Sequence, residues 1–191
     1  MLSAAHLRLI YKWRGKLVAL PAIFLVFCRY HEIEENWLVF AAGAAIFLTG
    51  VLIRLWAQEY LHYRLRAPVV LTVAGPYSFV RNPIYIGNTL ILCGLCFLAE
   101  LVWFTPLMVA WCMLVYGLVV RHEEAQLAAQ YGTAYTRYTE HVPRWLPQWR
   151  PWHAPWQAAA ALSGRLYFWP SIVAELHCFL WPIAFVLKEL V

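Results

Sequence analysis

Two stretches of this chain combine residue types and spacings that suit cofactor chemistry. The first is Gly75-Pro76-Tyr77-Ser78-Phe79-Val80-Arg81-Asn82-Pro83-Ile84-Tyr85-Ile86-Gly87. Gly75-Pro76 reads as a turn, and Asn82-Pro83 as the start of a helix, with Asn82 at the N-cap and Pro83 at the first helical position. That local role explains Asn82 and Pro83 but leaves Tyr77, Arg81 and Tyr85 without a purpose. A helix N-terminus also offers unpaired amides and a partial positive charge, which can receive a carboxylate or other polar groups of a bound molecule. The second stretch is Arg121-His122-Glu123-Glu124-Ala125-Gln126-Leu127, followed by Tyr131-Gly132, Tyr135, Tyr138 and Val142-Pro143-Arg144. Acidic residues in a first helical turn often do no more than complement the helix dipole. At the end of a membrane span, a glutamate facing inward can instead hold an ammonium or ribose hydroxyls. From spacing alone both roles stay open.

The elements that must position these residues are set by hydrophobicity. Of 191 residues, 63% are hydrophobic and 13% charged, against roughly 45–50% and 25% in soluble domains. The excess apolar surface has to face lipid. Trp37 to Trp56, apolar until Arg54, has the length of a bilayer span. Ile84 to Glu100 and Leu101 to Val120 give two more, joined tightly at Glu100. Leu17 to Cys28, extended by Ile10 to Trp13, is a fourth, and Leu166 to Leu187, interrupted by Pro170, Glu175, His177 and Pro182, a fifth. Prolines are tolerated in membrane helices where neighbours satisfy the freed carbonyls. The expectation is an all-α integral membrane protein with about five transmembrane helices, four being the fallback. It forms a single domain over 1–191, with a chemical region at about 58–147 and a last membrane helix at about 166–187.

Charge placement orients the chain. Arg8, Lys12, Arg14 and Lys16 precede the first span and put the N-terminus in the cytoplasm. The acidic loop from His31 to Asn36 and the Glu100 turn fall outside, while Arg54, Arg64, Arg66, Arg81 and the stretch Arg121 to Arg165 return inside. No small-residue cleavage site follows the first apolar run, so that run is expected to stay as a membrane helix. The formal charge of +5 reads as topology and attraction to anionic headgroups, not as nucleic-acid binding. Cys93 and Cys96, two of five cysteines, lie in an apolar helix without partner ligands and read as a packed face; no metal site is expected. Glu123 to Glu140 reads as one helix, with Leu127, Tyr131, Tyr135 and Tyr138 on a common face and Pro143 at its end. Trp145, Trp149, Trp152 and Trp156, alternating with Pro, Arg and His, suit an interfacial loop.

Taken together, the two stretches resemble the isoprenylcysteine carboxyl methyltransferases and their phospholipid methyltransferase relatives. That family carries a Gly-x-Tyr-x-x-x-Arg-His-Pro-x-Tyr element before a membrane hairpin. After the hairpin come Glu-Glu-x-x-Leu, an aromatic-Gly pair, Tyr-x-x-Tyr and a Val-Pro-Arg-like end. The matching residues here are Gly75, Tyr77, Arg81, Asn82, Pro83 and Tyr85, then Glu123, Glu124, Leu127, Tyr131-Gly132, Tyr135, Tyr138 and Val142-Pro143-Arg144. The resemblance implies S-adenosylmethionine as cofactor, in a cytoplasm-facing pocket contacted by Tyr77, Arg81, Asn82, Pro83, Ile84, Tyr85 and Glu123. It adds Leu71 and Thr72, from the strand-like stretch Val69 to Thr72, and His62. Asn82 stands where the family usually has histidine; it exchanges hydrogen bonds but cannot become a cation. In the eukaryotic prenylcysteine enzymes an arginine four residues before the first glutamate serves the substrate carboxylate. Val119 occupies that place here, with Arg121 the nearest arginine, which weighs against carboxyl methylation of prenylcysteine.

The implied reaction is in-line transfer of a sulfonium methyl to a lipophilic or membrane-soluble acceptor, accelerated by positioning and exclusion of water. An amine or hydroxyl acceptor needs a base, for which Glu124, Tyr85 and His122 are candidates. Arg121 and Glu175 are candidates for the acceptor side, Glu175 because an ionisable residue inside a span suggests function. A lipid or small lipophilic partner within a bacterial inner membrane is the matching context; the motifs leave the oligomeric state open. Two alternatives stand beside this one. The first is an NADPH-dependent membrane reductase resembling the sterol reductases; the second is a non-catalytic membrane small-molecule binder or carrier.

Overall fold

The computed structural model describes residues 4–27, 36–66 and 71–154. Within them the chain is helical: α1 (Ala4–Phe27), α2 (Trp37–Arg66), α3 (Pro83–Leu98), α4 (Thr105–Tyr131) and α5 (Thr133–His141). Short 3₁₀ turns at Gly75–Ser78 and Val102–Phe104 precede α3 and α4. The expected membrane helix at 166–187, with Glu175, lies outside the described residues.

Among the described residues two helices are long and apolar enough to cross a membrane, Trp37–Leu61 within α2 and Val102–Tyr131 through α4. Only 22% and 33% of their apolar windows are buried against protein. A core helix of a soluble protein would be mostly covered, so these bare surfaces, including Leu38, Phe40, Leu52, Leu107 and Leu114, suit lipid. α3 is apolar but shorter, with 16 residues.

Lipid gives apolar helices little reason to associate, so close packing must do that work. α2 packs most extensively on α3, and glycines at seven-residue spacing on both helices, Gly43 and Gly50 against Gly87 and Gly94, let the backbones meet. A Cβ added at Gly94 would lie 2.6 Å from the Phe47 amide nitrogen, and one at Gly50 would lie 2.7 Å from the Gly87 carbonyl oxygen. α1 packs on α4, where the Trp111 indole donates to the Leu17 carbonyl at 3.1 Å and Phe24 meets Phe104. Leu25, Phe47, Leu95, Cys96, Met108, Cys112 and Val119 fill the core between these pairs, and Cys93 is buried as well.

Three local expectations change. The helix read from Glu123 to Glu140 is two helices, because α4 continues unbroken from the apolar span to Tyr131 and stops at Gly132, whose φ of +52° suits glycine. Its second half, α5, packs Tyr135 and Tyr138 with Leu71, Val73 and Val142 in a second small core. The strand-like stretch is not a strand where it is described: residues 71–73 have no regular structure, and among the described residues no other strand pairs with them. Asn82 occupies the cap position of α3 but makes no side-chain cap; its amide donates instead to the Arg144 carbonyl at 3.1 Å.

Candidate functional site

The 75–82 loop is fixed before it can serve any ligand. Gly75 takes a φ of +59°, and an added Cβ there would sit 2.5 Å from the Tyr60 ring, so glycine is required twice over. The loop is then laced to the segment after α5. Arg81 N donates to the Pro143 carbonyl (2.9 Å), Gln148 N to Phe79 O (3.0 Å) and Trp152 N to Ser78 O (3.0 Å). The Gln148 side-chain amide also reaches Ser78 O (2.9 Å), and the Tyr138 hydroxyl donates to Tyr77 O at 2.7 Å. Burial pushes the Tyr135 phenol up to about 12 and raises that of Tyr138 as well. The tryptophans expected together in an interfacial loop therefore divide. Trp152 packs on Tyr138 and His141 and Trp145 against the core, whereas Trp149 is 99% exposed; Trp156 lies outside the described residues.

Glu124 clasps the two segments. Arg81 Nη1 lies 3.1 Å from its carboxylate, and Arg144 Nε donates to it at 3.0 Å. Both carboxylate oxygens are engaged, since Arg144 Nη2 takes the second. Among the described residues Arg81 Nε has no hydrogen-bond partner, though it is buried.

One residue earlier, Glu123 faces the other way, as successive positions on a helix do. It accepts a 2.7 Å hydrogen bond from the Tyr85 hydroxyl of α3, and the Tyr85 ring rests 4.6 Å from that of Tyr116. This pair stands on the wall of a cavity of about 520 Å³ between the helix ends. Tyr77, Arg81, Asn82, Pro83, Ile84, Tyr85 and Glu123, all singled out from the sequence, line it together. Lining residues that sequence reasoning did not assign to the site come from four helices: Tyr11 and Arg14 of α1, Arg54 and Leu61 of α2, Asn88 of α3, and Gln126, Leu127 and Gln130 of α4. Arg54 donates to the Asn88 side-chain carbonyl. Arg54 had a visible signal, a cation inside an apolar run, but was not read as part of the site.

The other candidates lie elsewhere. Leu71 is buried in the small core with Tyr135 and Tyr138, and neither it nor Thr72 lines the cavity. His62 is in the last turns of α2, and its side chain is outside what is described. His122 stacks obliquely on Tyr11 at 5.2 Å, and Arg121 is exposed away from the cavity. Among the described residues no group of three or more His, Cys, Asp or Glu is placed to hold a metal ion.

The cavity combines a carboxylate, guanidiniums, amides and aromatic faces, a set suited to a polar, zwitterionic molecule and not to a purely apolar one. Comparison with known proteins narrows what that molecule serves. The chain is 26% identical over 123 residues to the nickel-cobalt-cadmium resistance protein NccN of Alcaligenes xylosoxydans xylosoxydans, 62% of this chain and 55% of that one. It is 32% identical over 91 residues to the cobalt-zinc-cadmium resistance protein CzcN of Cupriavidus metallidurans, 48% of this chain and 39% of that one. The chain thus spans about half or less of the relatives it matches. No solved structure matches it. The sequence profile of the phospholipid methyltransferases matches residues 38–134, which takes in α2, α3, α4 and the Tyr85–Glu123 pair. The chain is a membrane-associated helical protein that belongs to the phospholipid methyltransferase family.

Proposed function

We propose that this protein transfers a methyl group from S-adenosylmethionine to a lipophilic or membrane-soluble acceptor, with the cofactor held in the 520 Å³ cavity. The observation that carries the proposal is the Tyr85–Glu123 hydrogen bond, 2.7 Å long, on a cavity wall shared by Tyr77, Arg81, Asn82, Pro83 and Ile84. The volume lies in the range of about 300–1,000 Å³ typical of small-molecule sites. Glu123 suits the cofactor's ammonium, the amides of Asn82 and Asn88 its hydroxyls and ring nitrogens, and the faces of Tyr77 and Tyr85 its sulfonium charge. Family membership favours this over the reductase and over the carrier.

When bound, the cofactor supplies an electrophilic methyl whose bond to sulfur breaks as the bond to the acceptor forms. The chain's own contribution is to hold and to exclude. Tyr85 fixes the orientation of Glu123, and the laced 75–82 loop keeps Tyr77 and Asn82 in place. Apolar helix faces keep water from the reacting centre. Glu124, with both oxygens held by arginines, acts as a positioning residue and not as a base. In the same proposal the N-terminus and cavity face the cytoplasm of a bacterial inner membrane, about five helices span it, and Arg121 and Glu175 serve the acceptor side.

The test is calorimetry on detergent-purified protein with S-adenosylmethionine, S-adenosylhomocysteine and NADPH. Both adenosyl compounds should bind, and Glu123→Gln and Tyr85→Phe should each weaken them, the former by roughly ten- to a hundredfold for loss of a charged partner. Binding of NADPH alone, or of none of the three to folded protein, would overturn the proposal.

A further inference from the structure

Arg14 lies outside the stretch that matches the family, yet it forms part of the cavity wall. Of the other two guanidiniums on that wall, Arg81 has its charge matched by Glu124 at 3.1 Å, and Arg54 is held by Asn88. Arg14 is oriented from within α1. Its Nη1 donates to the Tyr11 carbonyl at 2.9 Å, and its guanidinium carbon stands 4.1 Å over the Tyr11 ring. Tyr11 in turn rests on the ring of His122, the neighbour of Glu123 in sequence. Among the described residues Arg14 has no carboxylate at ion-pairing distance, and it shares the cavity wall with Glu123. Packing of α1 on α4 therefore brings to one cavity a carboxylate oriented by Tyr85 and a guanidinium oriented by Tyr11.

An α-amino acid carries its ammonium and carboxylate on a single carbon, so a site that recognises it needs one group of each sign close together. We propose that Arg14 and Glu123 form a two-point clamp for the amino-acid end of the cofactor, Arg14 taking the carboxylate and Glu123 the ammonium. The clamp rests on the S-adenosylmethionine proposal above. A guanidinium suits the carboxylate because its planar donors match two oxygens at once.

The experiment compares two ligands on the full-length protein in detergent by calorimetry: S-adenosylhomocysteine, and 5′-methylthioadenosine, which keeps the nucleoside thioether but lacks the amino-acid end. Arg14→Gln should weaken S-adenosylhomocysteine roughly ten- to a hundredfold while leaving methylthioadenosine unchanged. Arg14→Lys, which keeps the charge but not the fork, should fall between. A thermal melt of each variant checks that it is folded. Unchanged S-adenosylhomocysteine binding in Arg14→Gln overturns the clamp and leaves the cofactor proposal standing. Equal weakening of both ligands also overturns it, assigning Arg14 a structural role. A wild-type protein that binds neither adenosyl compound removes the cofactor proposal itself, and the clamp with it.

Discussion

Neighbouring residues in this protein have opposite assignments because a helix turns them to different partners. Glu123 faces Tyr85 and the cavity; Glu124 faces Arg81 and Arg144 and ties two distant segments together. The Glu-Glu pair was legible in the sequence and the resemblance pointed to Glu123 for the cofactor, but the tie made by Glu124 was not legible, since that depends on where Arg144 returns after α5. Arg14 and Tyr11 were legible only as a basic residue and an aromatic before a span; their place on the cavity wall comes from the packing of α1 on α4. Tyr138 gives a test at this scale. Its hydroxyl donates to Tyr77 O at 2.7 Å in a buried setting, so Tyr138→Phe removes that bond and should cost about 0.5–1.5 kcal/mol. A thermal melt in detergent reads this, and an unchanged midpoint would mean the bond contributes nothing. Alkaline pH acts on the same group. The folded phenols of Tyr135 and Tyr138 are raised, by burial first, above their unfolded value near 10. Their contribution is therefore complete below pH about 10 and declines as pH climbs toward 12 and beyond. The melting midpoint should fall over that range, less steeply in Tyr138→Phe.

At the scale of elements, hydrophobic runs located α1 through α4 as helices, of which α2 and α4 are long and apolar enough to cross a membrane. Their ends were harder to read. α4 carries its helix past the apolar run to Tyr131, since nothing at Val120 breaks it, and the actual stop is a glycine in a conformation other residues avoid. The strand-like reading of Val69 to Thr72 needs a partner strand to be expressed, and among the described residues 71 and 72 have none. The α2–α3 contact makes the sharpest prediction. Gly94→Val should unfold or dissociate the hairpin, because its Cβ would overlap the Phe47 backbone at 2.6 Å, whereas Gly117→Ala meets nothing within 4 Å and should leave the melt unchanged or slightly higher. Equal stability of the two variants in detergent would dismiss the glycine contact as the source of pairing.

At the scale of the whole molecule, the proposed orientation puts the Glu100 turn, where the chain takes a φ of +59° between α3 and the turn into α4, on the outer face. Arg150, exposed in the segment laced to the 75–82 loop, belongs on the cytoplasmic face. In a variant with its five cysteines replaced, a cysteine at Glu100 should react with an impermeant maleimide added to intact bacteria, and one at Arg150 only after permeabilisation. The opposite pattern would invert the topology. The α2–α3 contact also bears on traffic through the bilayer. Backbone lies against backbone where Gly50 meets Gly87 and Phe47 meets Gly94, which leaves no gap between the two helices at those points. In the proposed reaction a lipid tail sliding in from the membrane would find that line closed, so the doorway for a hydrophobic guest would open between other helices, with the α2–α3 pair as its fixed jamb.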